Sequence, residues 1–330
     1  MNIPSEFILN VFGKLDEHVR KIEDAFQVTI INRDDVVQIM ANAPAAKPEK
    51  AQEVLGHLVQ LAKKGETITD QNVNYAIAAL EDEHLEKVES LTGDTICNTI
   101  SGRPIKPKTV GQKNYVDQIR KNTIVFSIGP AGTGKTYLAM AMAITAFRAG
   151  QVNKIILTRP AIEAGEKLGF LPGDLQQKVD PYLRPLYDAL NDIMGTETFQ
   201  RNFERGLIEV APLAYMRGRT LDNSFIVLDE AQNTTPEQMK MFLTRLGNNS
   251  KAVITGDITQ IDLPLGQKSG LTDAIKILEN IPDIGISHLT TKDVVRHPLV
   301  QKIINAYDKK DARLAYKTQR HLKYTVKNRK

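Results

Sequence analysis

Residues 129 to 136 read Gly-Pro-Ala-Gly-Thr-Gly-Lys-Thr, with Gly129, Pro130, Ala131, Gly132, Thr133 and Gly134 leading into Lys135 and Thr136. These types at these intervals suit the holding of a phosphate chain. The glycines let backbone N–H groups converge on an anion, and the start of a following helix adds its positive dipole end. Lys135 is predicted to reach the β- and γ-phosphates of a nucleoside triphosphate, and Thr136 to bind Mg²⁺. The apolar run TIVFSIG before the loop and the apolar stretch after it supply the strand and helix that such a loop needs.

A phosphate loop alone does not separate hydrolysis from transfer. Phe225 to Leu228 is an apolar strand that delivers Asp229 and Glu230 at its C-terminal end, where ligands sit in open α/β sheets. Asp229 is expected in the Mg²⁺ shell, and Glu230 is placed to take a proton from an attacking water. The second acid argues for a triphosphatase over a small-molecule kinase, which would exclude that water. Thr235 as N-cap, Pro236 in the first turn and Gln238 at the capping-box position predict a helix there and a tight loop from Asp229 to Thr234. A third strand, AVITG, breaks into Asp257-Ile-Thr-Gln260, and the Gln260 amide is a candidate γ-phosphate sensor that orients the water.

The elements that must position these groups follow from hydrophobic pattern. From Gln112 onward NKIILT, LIEVAP, SFIVLD, KAVITG and IGISHL join TIVFSIG as strands, separated by helices near 174–194, 235–246, 269–279 and 298–309. That alternation is an open, mostly parallel α/β sheet with helices on both faces. Ahead of it, residues 1 to 65 read as a small α+β unit of order β-α-β-β-α: EFILNVFG, DEHVRKIEDAF, VTIINR, DVVQIMA and PEKAQEVLGHLVQLAKKG. Residues 66 to 110 read as a helical segment and a linker, SGRPIKPKT, with the main domain over 111–310.

The whole chain has 330 residues, an apolar share of 42% and a charged share of 25%, ordinary for a protein with a real core. Its single cysteine, Cys97, excludes an intramolecular disulfide and reads as incidental. The N-terminus carries acids and lacks the pattern of a secretory signal, and no stretch approaches a membrane span. A cytoplasmic location, with no membrane partner, is expected. The net charge of +4 hides an asymmetry: residues 302 to 330 hold ten Lys or Arg against two acids. With Tyr307, Tyr316 and Tyr324 interleaved, this basic tail (311–330 and the residues leading into it) suits the backbone and bases of single-stranded RNA. None of the six histidines shows metal-ligand spacing.

The three motifs together resemble the first motor domain of superfamily-one helicases, whose second motif runs Asp-Glu-x-Gln, here Asp229, Glu230, Ala231 and Gln232. The resemblance sharpens to the PhoH-like proteins, bacterial cytoplasmic ATPases, and implies the RecA-like P-loop NTPase fold. It is carried by KPKTVGQKNYVDQIRKN, TRPAIEAGEKLGFLPGDLQQKVDPYLRPLYDAL, YMRGRTLDNSFIVLDEAQNTT, ITGDITQIDLP and DVVRHPLVQKIINAY, between 106 and 307. It implies that Gln112 reads adenine, favouring ATP, and that Arg296 offers a cation to the γ-phosphate, with Arg217 and Arg219 in reserve. It implies a KH-like N-terminal domain as well, although Gly13-Lys-Leu-Asp16 stands where an RNA-gripping unit has GXXG. Acids there repel a backbone, so assembly or partner docking is the expected use.

A superfamily-one helicase closes its site between two motor domains, and this sequence reads as one. The resemblance therefore implies a homo-oligomer, a closed ring, in which a neighbouring copy supplies the second wall. The functional expectation is an RNA-coupled Mg²⁺ ATPase or helicase in ribosome or RNA maturation, working beside an endoribonuclease of the YbeY type. Two alternatives stand beside it: a ring ATPase that remodels a protein partner, and a nucleotide-gated RNA-binding module.

Overall fold

The structure, a computed structural model, describes residues 1–33, 36–81, 94–160, 175–264, 266–295, 299, 300 and 303. The chain divides into two units, Met1–Asp293 and Val294–Lys330. Arg296, Tyr307, Tyr316, Tyr324, the basic tail and most of the helix expected at 298–309 lie outside the described residues.

The first unit opens with α1 (Ser5–Phe12), α2 (Glu17–Phe26), β1 (Val28–Arg33), β2 (Val36–Ala41), α3 (Pro48–Lys63) and α4 (Asp70–Glu81). This order replaces the expected β-α-β-β-α. EFILNVFG is a helix, not a strand: Val11 and Phe12 are buried, whereas Leu9 is 79% exposed. A short run of apolar residues carries no period that separates the two states, and tertiary contacts decide. Asn10 grips the segment after α3, donating to the Glu66 carbonyl at 2.7 Å and accepting from the Ile68 amide at 2.8 Å. The elements α1 to α4 share one core, which includes Ile22, Phe26, Leu55, Leu58, Val73 and Leu80. Where GXXG was sought, Leu15 and Asp16 both adopt left-handed backbone (φ +52° and +59°). Nearby, Glu17, His18 and Asp70 bring potential ligand atoms within 4.8 Å, but the Lys21 ammonium lies 2.5 Å from Asp70 and already supplies the cation.

The expected linker is also structured. Cys97–Asn98 (β3) pairs antiparallel with Pro104–Ile105 (β4), and Ile96 and Ile105 are buried in the core that follows. Two prolines obscured a short hairpin whose stability comes from what it packs on.

Beyond it come α5 (Val110–Lys121), β5 (Ile124–Ile128), α6 (Lys135–Arg148), β6 (Lys154–Arg159), α7 (Leu175–Met194), α8 (Thr196–Glu204), β7 (Ile208–Pro212), β8 (Ser224–Leu228), α9 (Pro236–Leu243), β9 (Lys251–Gly256), α10 (Gly270–Leu278) and β10 (Ile284–His288). The six strands form one sheet in the order β10-β5-β9-β8-β6-β7, every pair parallel. Each of the six was legible as an apolar run, as strands covered on both faces must be. One face is covered by the α6 core with Leu138, Met140 and Ile144; the other carries Phe126, Ile226, Ile254 and Leu271. Burial of a side chain such as Phe126 or Ile254 contributes about 1.5–3 kcal/mol. Helix α8 was not anticipated. Its sequence is mostly polar, and it is held through Phe199 and Phe203, whose rings lie 5.9 and 6.4 Å from that of Tyr187 and 5.6 Å from each other in tilted and edge-on contacts.

The strand order does the work of placement. Because β9 lies between β5 and β8, the registers Ile128↔Gly256, Leu228↔Ile254 and Thr158↔Leu228 bring the C-terminal ends of β5, β9, β8 and β6 side by side.

Candidate active site

The phosphate loop leaves β5 at Gly129, whose backbone packs so close to the Leu289 carbonyl that a Cβ would stand 2.6 Å from it. Gly132 and Gly134 have φ of +86° and +78°, backbone that glycine adopts without cost. The Lys135 ammonium is folded over the loop, donating to the Gly129 carbonyl at 2.6 Å and the Pro130 carbonyl at 2.9 Å. The Thr133 hydroxyl donates to Pro130 at 2.9 Å. Two side chains of α5 brace the loop from behind. Tyr115, fully buried, donates its hydroxyl to the Lys135 carbonyl at 3.1 Å, and burial pushes its pKa well up, so it stays a donor. Gln112 donates to the Thr133 carbonyl at 3.1 Å and accepts from the Lys108 amide at 2.7 Å. Both ends of the amide expected to read adenine are thus engaged within the protein.

Asp229 is 3% exposed and its two oxygens have different company. Oδ1 accepts from the hydroxyls of Thr136 at 2.6 Å and Thr255 at 2.7 Å. Oδ2 accepts from Arg159 Nε at 2.9 Å and Nη2 at 2.7 Å. Glu230 has left-handed backbone, φ +54°, which costs an ordinary residue on the order of 1 kcal/mol and persists only where surroundings enforce it. Its carboxylate accepts from Gln232 Nε2 at 2.6 Å and lies 3.4 Å from Arg159 Nη2. Gln232 is 1% exposed and is the junction of the site: the same Nε2 donates to the Gln260 carbonyl at 3.1 Å, and its oxygen accepts from the Asp257 amide at 3.0 Å. The loop from Asp229 to Thr234 closes as a short 3-10 turn, followed by the capping box of Thr235 and Gln238.

The structure therefore gathers Lys135, Thr136, Asp229 and Glu230. Gln260 sits at the edge of this group: it is exposed, its amide donates to Asp257 at 2.9 Å, and it meets the network through its backbone. The side chain of β9 that reaches Asp229 is Thr255. Arg219 is paired with Glu209 at 2.5 and 2.7 Å, and Arg217 is exposed. Sequence alone does not single out Arg159 or Thr255, and it marks Gln232 only as the fourth residue of the Asp-Glu-x-Gln motif. A cation and a hydroxyl at the C-terminal ends of strands flanking an Asp-Glu strand were the available signal, readable only once the strand order is known.

Comparison with known proteins bears on what such a site serves. Residues 104–308 match the family described as PhoH-like protein. The chain belongs to the PhoH family. A PhoH-like protein of Bacillus subtilis (strain 168) is 52% identical over 92% of this chain and 94% of its own length. Protein PhoH of Escherichia coli (strain K12) is 46% identical over 62% of this chain and 58% of its own. A solved SWI2/SNF2 ATPase core of Sulfolobus solfataricus in complex with dsDNA resembles the chain over 54% of its length, with TM-score 0.32 and 14% identity; so slight a likeness carries no argument. Fold, motif pair and family together make this PhoH-family chain a nucleotide-binding ATPase of the P-loop class. Among the described residues no helix is long and apolar enough to cross a membrane.

The residues present fit Mg²⁺: the donor set is a hydroxyl and a carboxylate, hard oxygen ligands of the kind that ion takes, and Thr136 Oγ1 and Asp229 Oδ1 are 2.6 Å apart. Mg²⁺ held there would neutralise phosphate charge. Beside this pair stands the Glu230 carboxylate, a group able to accept a proton, and the bond from Gln232 Nε2 at 2.6 Å fixes its direction.

Proposed function

We propose that this protein is a Mg²⁺-dependent ATPase coupled to single-stranded RNA, acting in RNA or ribosome maturation as a helicase or remodelling motor. The observation that carries the coupling is the charge of residues 302–330, ten cations against two acids with three tyrosines interleaved. So one-sided a segment repels itself unless it meets a polyanion. Hydrolysis is supported by the paired carboxylates and the buried network around them. In this reading Lys135 holds the phosphates, Thr136 and Asp229 hold Mg²⁺, Glu230 takes the proton and Gln112 favours adenine. Gln260 bears on the γ-phosphate through the Gln232 junction. Arg296 of a neighbouring copy in a closed ring completes the site, and an endoribonuclease of the YbeY type is the partner enzyme.

The test is the ATPase rate with and without single-stranded RNA, taken together with native mass. RNA-stimulated turnover by an oligomer is expected. Turnover raised by a protein partner and indifferent to RNA would mean a protein-remodelling ATPase. RNA binding that switches with ATP but displaces no strand would mean a nucleotide-gated RNA binder.

A further inference from the structure

Arg159 closes β6, the strand beside β8, and its guanidinium touches both carboxylates on which the site depends. Nε and Nη2 form a fork on Asp229 Oδ2, at 2.9 and 2.7 Å, and Nη2 reaches Glu230 Oε1 at 3.4 Å. The Arg159 side chain is 17% exposed and that of Asp229 5%, so the pair is largely withdrawn from solvent screening. Two adjacent carboxylates at a strand end repel each other, and a shared planar cation removes that repulsion while fixing both in direction. The opposite oxygen of Asp229 is where Thr136 and Thr255 converge. A metal ion taken up by Thr136 and Asp229 therefore brings positive charge to a carboxylate that already bears a guanidinium.

We propose that Arg159 is a positioning residue and a built-in counter-cation. It holds Asp229 and Glu230 in place without nucleotide, and it competes with the metal for Asp229. Its contact with the Glu230 carboxylate keeps that group aimed while the metal is bound. The cation in question comes from the same chain as the carboxylates. This rests on the ATPase reading, and the competition can be measured without any hydrolysis.

The experiment compares Arg159→Gln and Arg159→Lys with the wild-type full chain, using Mn²⁺ as an EPR-visible probe in the absence of nucleotide. Removing a competing unit charge at such short range is expected to tighten Mn²⁺ binding about five- to tenfold in Arg159→Gln, with Arg159→Lys between it and wild type. Thermal stability of Arg159→Gln should fall without divalent metal and recover as Mn²⁺ is added. Turnover should fall on the order of a hundredfold with KM for ATP within about threefold, as expected when a transition-state group loses its aim. A merely structural ion pair predicts the reverse for the metal: Mn²⁺ affinity unchanged or weaker, with KM and kcat damaged together. Either result would overturn the proposal. If Arg159→Gln does not fold, Arg159→Lys, which keeps a charge and loses the fork, must still bind Mn²⁺ more tightly than wild type, or the proposal fails. Tighter Mn²⁺ binding in a protein whose wild type hydrolyses nothing would uphold the competition and refute the ATPase reading instead.

Discussion

In the proposed reaction Lys135 and Glu230 act at opposite ends, and their substitutions should separate accordingly. Lys135 lies over the loop carbonyls and is proposed to hold the phosphates, so Lys135→Ala is expected to abolish nucleotide binding, read with a fluorescent ATP analogue. Glu230→Gln should still bind that analogue and lose turnover by a factor of a hundred or more, because its proposed action is on the water and not on the phosphates. Wild-type turnover by the Glu230 variant would remove it from the mechanism. Gln112 has two duties to separate. Its amide braces the loop at Thr133, so Gln112→Ala should weaken ATP and GTP alike by several fold. Reading of adenine adds a narrowing of the ATP preference on top; an equal loss for both nucleotides would leave only the brace. The loop and the two acids were legible from sequence because their meaning is local, a matter of spacing along one stretch. Arg159 and Thr255 were not, because each acts across strands whose neighbours a single sequence does not name; Gln232 is legible as a member of the Asp-Glu-x-Gln motif but not as the junction to Asp257 and Gln260.

At the level of elements, the insertion of β9 between β5 and β8 is what turns three separate motifs into one site. The strands themselves were readable as buried apolar runs, and α9 as a capped helix. Pattern misleads where packing overrides it: EFILNVFG reads as a strand and folds as α1, the mostly polar sequence of α8 gives little helical signal, and the residues of the β3–β4 hairpin read in part as a linker. Helix α5 shows how such packing is fastened. Asp94 accepts from Arg120 at 2.6 and 2.8 Å and lies 3.3 Å from Lys113, clipping the segment before the hairpin to the helix that braces the loop. The Arg120 guanidinium foremost, and Lys113 with it, hold the Asp94 carboxyl below its usual pKa. A depressed folded-state pKa means stability that is present above the unfolded carboxylate pKa and lost as pH falls through the folded one. Arg120 is partly exposed, so the contribution is discounted to about 0.5–1 kcal/mol. Asp94→Asn should therefore be less stable than wild type near pH 7 in urea unfolding, with the gap closing below about pH 4. A gap that stays constant with pH would assign the effect to packing instead of charge.

Over the whole molecule the N-terminal layer and the nucleotide site are joined through α5: the Tyr75 hydroxyl of α4 accepts from the Val110 amide at 2.5 Å, and Lys106 pairs with Glu66 at 2.5 Å. Thr109, the cap of α5, donates to buried Asp293 at 2.5 Å, which fastens the far end of the sheet to the same helix. A motion imposed on the N-terminal layer thus has a covalent and hydrogen-bonded route to Gln112 and Tyr115 behind the loop. The proposed RNA grip rests on charge alone. Removing residues 311–330 deletes seven Lys or Arg and one acid, so RNA binding should weaken and the slope of log affinity against log salt should become shallower. An unchanged slope would sink that assignment. The proposed ring makes a sharper demand, because it gives two arginines opposite addresses. Arg159 touches the carboxylates of its own chain, whereas Arg296 is proposed to act on the site of a neighbour, where such a cation is worth several orders of magnitude in related phosphoryl-transfer enzymes. Subunits of Arg296→Ala keep an intact loop, and subunits of Lys135→Ala keep an intact Arg296. Mixing the two inactive preparations should restore part of the ATPase activity, since some sites then combine a working loop with a working neighbour. Mixing Arg159→Gln with Lys135→Ala should restore nothing beyond the residual rate of the first, because the loop and the guanidinium it needs never meet in one chain. Rescue in the second mixture would move Arg159 to the subunit interface, and silence in the first, with co-assembly shown by native mass, would remove Arg296 from the site.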